Sequence, residues 1–281
     1  MRPLRVRWFR WLICSALLAL YISSAMKAHT VEVTKDDVDF RKIVYVSKDG
    51  ARLPYRLYVP HSYSNQQKYP LVLWLHGGTG RGSDNLKQLD KQNQFGTHFW
   101  IAPDVQERFP AFVLVPQCPS GEVWAEPEFN QPGKALLLTV EILAKVQKDY
   151  SIDPDRIYVA GQSMGGSGVW SLLQNYPQKW AGALVLSAYD TFTDPEAIAQ
   201  IPLWVFQGDE DMSVPVDMVR TMMKQLKKLH ANLRYTEYHK MDHEVWTKAF
   251  AEPDLLPWLS SQKRKQAAQS QLGSGAATPW H

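Results

Sequence analysis

The 281 residues are 45% hydrophobic and 21% charged, which excludes a disordered or low-complexity chain and leaves enough apolar material for one large folded domain. The formal net charge of +3 arises in the first 28 residues: without Arg2, Arg5, Arg7, Arg10 and Lys27 it becomes −2, and no case for a nucleic-acid partner remains. Of the two cysteines, Cys14 lies in that opening segment, so Cys118 has no partner for an intramolecular disulfide and reads as a small core residue.

The opening segment has a basic start (Arg2 to Arg10), an uncharged and mostly apolar stretch from Trp11 to Met26, and small residues at Ser23, Ser24, Ala25 and Ala28. This is the layout of a secretory signal peptide over residues 1–28, with cleavage expected after Ala25 or Ala28 and export to the periplasm or beyond. Its apolar stretch falls short of the roughly 20 residues a membrane-spanning helix needs, so no stable span is expected after cleavage.

Strand and helix patterns then alternate. Phe40–Ser47 and Arg52–Pro60 read as strands joined by a turn at Asp49–Gly50. Leu71–His76 and Phe112–Gln117 are continuous apolar runs that suit strands buried on both faces. Gly133–Tyr150 has a helical period, Arg156–Gly161 is a strand, and Gly165–Asn175 is a helix opening on small residues. Ala183–Ser187 and Leu203–Gly208 are strands, Val216–His230 is helical, Leu233–Tyr238 is the last strand, and a short helix covers Glu244–Phe250. Strands separated by helices mean a mostly parallel, twisted sheet with helices on both faces, here with an antiparallel edge at the N-terminal end. One domain over residues 29–259 accounts for the pattern. Residues 260–281 are polar, small and aperiodic, and read as a flexible tail.

The chemistry concentrates in three loops. Gly161-Gln162-Ser163-Met164-Gly165 fits G-x-S-x-G between a strand and a helix, the setting in which a serine hydroxyl is held clear of the sheet on a sharp turn. A serine needs a base, and in that setting the acid and the histidine follow in chain order after later strands. Strand Leu203–Gly208 leads to Asp209, Glu210 and Asp211; strand Leu233–Tyr238 leads to His239 and His243. Asp211 is the preferred acid, because Asp211–Pro215 ends at the start of the next helix. His243 is the preferred base, because His239 follows its strand too closely to reach across the site. The predicted triad is Ser163, His243 and Asp211. The backbone N–H of Met164 supplies one oxyanion donor, and the glycine-rich stretch after Leu71–His76 supplies the other at Gly78 or Thr79. Trp124 and Trp100, on connecting segments, are candidates for an apolar wall against the substrate. His239, Asp242 and His243 match no metal-ligand spacing, and neither a metal nor an organic cofactor is expected.

The runs LVLWLHGGTGRGSDN, VPQCPSGEVW, IDPDRIYVAGQSMGG, IPLWVFQGDEDMSVPV and HKMDHEVWTKAF together resemble the secreted α/β-hydrolase esterases of the feruloyl-esterase and polyhydroxybutyrate-depolymerase kind, over residues 40–260. The resemblance implies the α/β-hydrolase fold and a serine carboxylic-ester hydrolase acting on small-molecule or polysaccharide-linked esters, aryl or sugar-linked among them. Two positions depart from that pattern: Gln207 stands where histidine is common, and Asp242 where glycine commonly precedes the catalytic histidine. The alternatives are a serine peptidase of the prolyl-oligopeptidase type, an acyltransferase and, ranked last because all three triad residues are present, a non-catalytic binding module.

Overall fold

The computed structural model describes residues 39–90, 93–126, 131–191 and 193–264, so the expected leader at residues 1–28 lies outside the described residues. Eight strands form one sheet: β1 (Phe40–Val46), β2 (Arg52–Tyr58), β3 (Tyr69–Leu75), β4 (Phe112–Pro116), β7 (Ile152–Gln162), β8 (Gly182–Leu186), β9 (Leu203–Gly208) and β10 (Leu233–Tyr238). Two short strands, β5 (Ala125–Glu126) and β6 (Gln131–Pro132), pair separately. The sheet order is β1-β2-β4-β3-β7-β8-β9-β10. β2 runs antiparallel to both β1 and β4, and every pair from β4 to β10 is parallel. The expected antiparallel N-terminal edge is therefore present on an otherwise parallel sheet.

The continuous apolar runs are explained by burial on both faces. Leu71, Leu73 and Leu75 of β3 join one core with Ile157 and Val159 of β7 and Leu203 and Val205 of β9. The alternate residues Val72, Trp74, Tyr158, Ala160, Trp204 and Phe206 join a second core on the opposite face. Successive side chains of a strand point to opposite faces, so a strand sandwiched between helices has no polar alternation to show. Helices α3 (Lys134–Asp149), α4 (Met164–Asn175) and α6 (Val216–Lys228) cover the first face. Helices α1 (Gln94–Ile101), α2 (Pro103–Arg108), α7 (Trp246–Ala249) and α8 (Leu255–Ser261) cover the second. A short α5 (Pro195–Ala199), capped by the Asp194 carboxylate on the Ala197 N–H, lies between β8 and β9.

Sequence patterning missed α1 and α2. Pro103 divides the segment into two short helices, and α1 contains Gly96, a weak helix former. The glycine is required by packing: a Cβ there would lie 1.9 Å from the Trp74 ring. Of the tail expected over residues 260–281, residues 265–281 lie outside the described residues. α8 continues through Ser261, and Arg264 donates from Nη2 to Asp155 Oδ1 at 2.8 Å and from its backbone N–H to Asp155 O at 2.9 Å. These bonds tie Arg264 to the end of the sheet, and a contact so distant in sequence leaves no periodic trace. Among the described residues, no helix is long and apolar enough to cross a membrane.

Candidate active site

β7 delivers the chain to Ser163, whose backbone sits at φ 53°, ψ −123°, before α4 starts at Met164. A positive φ in a serine costs about 1–3 kcal/mol and persists only where surrounding contacts enforce it. Here the Ser163 N–H donates to Leu186 O at 2.8 Å, and the first turn of α4 closes with Ser167 N–H on Ser163 O at 3.1 Å. The turn also needs room. A Cβ on Gly165 would lie 2.0 Å from Leu75 O, so α4 can begin pressed against the end of β3 only with glycine there.

His243 bridges the serine and the acid. Its Nε2 is 2.8 Å from Ser163 Oγ and its Nδ1 is 2.8 Å from Asp211 Oδ2. A carboxylate only accepts, so Nδ1 carries the proton and Nε2 offers its lone pair to the Ser163 hydroxyl. Asp211 has no solvent-exposed side-chain surface and is fully coordinated. Oδ1 accepts from the Ser213 and Val214 N–H groups, each at 2.8 Å, and Oδ2 also accepts from Gln207 Nε2 at 2.9 Å. Four donors on one carboxylate offset the cost of burying its charge. Gln207 thus fills its departure position as a donor to the acid, and a further bond from its Nε2 to Val214 O at 2.9 Å ties it to the same loop.

The base loop is anchored too. Ser187 Oγ donates to His243 O at 2.7 Å, and the imidazole packs edge-on against Trp246. Gly208 lets the two loops meet: a Cβ there would lie 2.3 Å from both Met241 O and Asp242 O. The competing acid and base pair with each other instead, His239 Nδ1 lying 2.7 Å from Asp209 Oδ2 at the surface, and that hydrogen bond holds the Asp209 carboxyl below its usual range. Asp242 is exposed, and its carboxylate accepts the Glu244 N–H at 3.1 Å.

Met164 and the turn Gly78–Gly80 carry the candidate oxyanion donors. The N–H groups of Met164, Gly78 and Thr79 stand at helix starts, where no intrahelical acceptor exists. Gly77 is excluded, since its N–H donates to Asn93 Oδ1 at 3.1 Å. The loop is held from below by His76, whose Nε2 accepts the Cys118 N–H at 3.0 Å and whose Nδ1–H donates to Gly77 O at 2.6 Å. Burial pushes the His76 imidazole down to about 4, so it stays neutral at pH 7 as a structural group. Burial likewise pushes the Cys118 thiol up to about 12, which suits a core residue and not a nucleophile.

The two tryptophans expected at a substrate wall are both buried. Trp124 is fully buried, donating from Nε1 to His76 O at 3.0 Å with its ring against His76. Trp100 is buried among Phe99 and Phe250 in the second core. The cavity beside the nucleophile, about 270 Å³, is lined instead by Val123 and Ala125, by Met164 and Ser167, and by Tyr189 and Asp190 after β8. The right segment was legible around Trp124, but its immediate neighbours face the cavity.

The Esterase family model matches residues 49–272. The chain belongs to the Esterase family. It is similar to a thermostable esterase of known structure, with 34% identity and a TM-score of 0.77 over 81% of this chain and 64% of that one. It is 25% identical over 183 residues to the bifunctional acetylxylan esterase/xylanase of Neocallimastix patriciarum, covering 65% of this chain and 25% of that protein. A CE1 ferulic acid esterase from Anaeromyces mucronatus, solved in complex with ferulic acid, shares the fold at 16% identity and a TM-score of 0.56, over 78% of this chain and 91% of that one. The chain therefore spans about a quarter of the acetylxylan esterase/xylanase and just under two thirds of the thermostable esterase.

Membership fits the architecture, an α/β-hydrolase fold with Ser163 at the C-terminal end of a central strand. Sequence reasoning missed the contacts of Gln207, Ser187 and Asn93 and the place of Asp190 at the cavity. Gln207 alone gave a signal, as a departure from the resembling pattern. The other three are placed by packing that no local motif encodes. Among the described residues, no group of His, Cys, Asp or Glu is placed to hold a metal ion.

Proposed function

We propose that this protein is an exported serine carboxylic-ester hydrolase acting through an acyl-enzyme on Ser163. The observation that carries the reading is His243, with one ring nitrogen 2.8 Å from Ser163 Oγ and the other 2.8 Å from a buried carboxylate. Nε2 takes the hydroxyl proton as Oγ attacks the ester carbonyl carbon. The Asp211 carboxylate holds the tautomer and stabilises the imidazolium. The N–H of Met164 and that of Gly78 or Thr79 receive the developing oxyanion. As the tetrahedral intermediate collapses, the bond to the alcohol oxygen breaks and the imidazolium protonates that oxygen. Water, deprotonated by Nε2, then attacks the acyl carbon, and Ser163 Oγ leaves with the proton as the acid is released. These steps need no metal or organic cofactor.

Aryl or sugar-linked esters are the proposed substrate class, supported by the likeness to an acetylxylan esterase/xylanase and to a ferulic acid esterase. Export is supported by the leader pattern of residues 1–28. The test is hydrolysis of a panel of p-nitrophenyl and methyl hydroxycinnamate esters by the mature protein beside Ser163→Ala. Turnover by wild type, with a loss of at least about 10³-fold in Ser163→Ala, is expected. A folded wild type inert on every ester, or Ser163→Ala as active as wild type, overturns the reading.

A further inference from the structure

The cavity beside Ser163 is lined by two carboxylates that the proposed mechanism does not use, Asp190 and Glu126. Asp190 follows β8, and its Oδ1 accepts the Thr191 N–H at 2.7 Å. Its Oδ2 is shielded from solvent and has no hydrogen-bond partner. An unpaired, shielded carboxylate oxygen costs stability, and a ligand that pairs with it is one physical reason for a protein to keep it. Burial pushes the Asp190 carboxyl up to about 6, so it is still mostly ionised at pH 7. Among the described residues that line the cavity none is basic, and Glu126 adds a second carboxylate. The cavity starts at Met164 and Ser167, on the first turn of the helix that carries the nucleophile, so a group attached to the reacting ester can enter it. Ser171 Oγ and Gln174 Nε2, also buried and unpaired, continue the face of α4 that begins at Ser167.

We propose that Asp190 is a specificity residue: a turn of its side chain brings the unpaired Oδ2 to the cavity, where it accepts a hydrogen bond from a hydroxyl group of the substrate, so that the preferred esters carry a phenolic or sugar hydroxyl on the portion that enters this cavity. This rests on the ester-hydrolase reading of Ser163 and narrows it. A neutral hydroxyl fits better than an ammonium, because Val123, Ala125 and Met164 make the remaining wall largely apolar and a full charge loses more hydration on entering. Two carboxylates and no base also disfavour esters bearing a free carboxylate or phosphate.

The experiment uses matched pairs that differ only in the donor: methyl 4-hydroxycinnamate against methyl cinnamate, and 2-hydroxyethyl acetate against propyl acetate. Methyl 4-(aminomethyl)cinnamate is added as the ammonium arm. kcat/KM is measured for wild type, Asp190→Leu and Asp190→Asn, and binding of the same compounds to Ser163→Ala is followed by calorimetry. Wild type should prefer the hydroxylated member of at least one pair by about tenfold or more, the factor a hydrogen bond to a charged group carries. Asp190→Leu should bring that ratio to within about twofold by losing rate on the hydroxylated ester alone. Asp190→Asn keeps the bond to Thr191 and serves if the leucine variant does not fold; it should lower the ratio by at least about threefold, since a neutral acceptor binds more weakly.

A wild-type ratio near one, a ratio unchanged by both substitutions, or a preference confined to the ammonium ester overturns the assignment. The binding arm separates the two readings. If no ester is hydrolysed but Ser163→Ala still binds the hydroxylated compounds more tightly and Ser163→Ala/Asp190→Asn does not, the assignment of Asp190 stands and the hydrolase reading falls. Ester hydrolysis without hydroxyl discrimination gives the reverse.

Discussion

Replacing Gln207 with leucine removes one donor from the buried Asp211 carboxylate and nothing from Ser163 or His243. Gln207 Nε2 reaches Asp211 Oδ2 and Val214 O, each at 2.9 Å, so the change leaves two buried acceptors one donor short. An unmet buried acceptor costs about 1–3 kcal/mol, and leucine partly offsets this by removing the unpaired Gln207 Oε1. A net loss of about 2 kcal/mol follows, which in a domain of this size lowers Tm by roughly 4–8 °C. Asp211 keeps both backbone donors and His243, so the triad survives with a looser acid, and kcat should fall about tenfold with KM little changed. Rescue separates this role from simple destabilisation. Gln207→His, with the residue common at this position in the resembling esterases, should restore kcat, because a ring N–H can replace the lost donor. A kcat of Gln207→Leu within about twofold of wild type refutes the argument that Gln207 positions Asp211.

Two further outcomes can be checked directly. His76 is neutral and buried, with its imidazole pushed from 6.5 down to about 4. The unfolded chain therefore takes up the proton first as pH falls, and stability present above pH 6.5 is lost between 6.5 and about 4, by at most about 3 kcal/mol. Urea midpoints across that range should show the slope in wild type and a flatter one in His76→Asn; equal slopes exclude His76 as the source. Asp190 works in the opposite sense below pH 6, and the comparison between variants cancels it. The surface pair Asp209–His239 should be dispensable: Asp209→Asn and His239→Ala should each keep kcat/KM within about threefold of wild type. A loss of 100-fold in either would move the acid or base assignment to this pair.

Patterns local in sequence were sufficient for the parallel sheet, its antiparallel edge and the loops that carry Ser163, Asp211 and His243. Buried strands appear as apolar runs because both faces are covered, and G-x-S-x-G appears because a Cβ at Gly165 would strike the end of β3. The sequence also bears the choice between Asp211 and Asp209, since the Asp-x-x-Val-Pro turn that directs the Ser213 and Val214 N–H groups onto Asp211 is itself local. Tertiary structure alone decided what supports and lines the site. Gln207 reaches Asp211, Ser187 reaches the His243 loop across 56 residues, and Asp190 lines the cavity while Trp124 is buried in the core. Each of these depends on where a side chain points after distant segments pack. Composition and periodicity record whether a residue prefers burial; they do not record which neighbour it meets there.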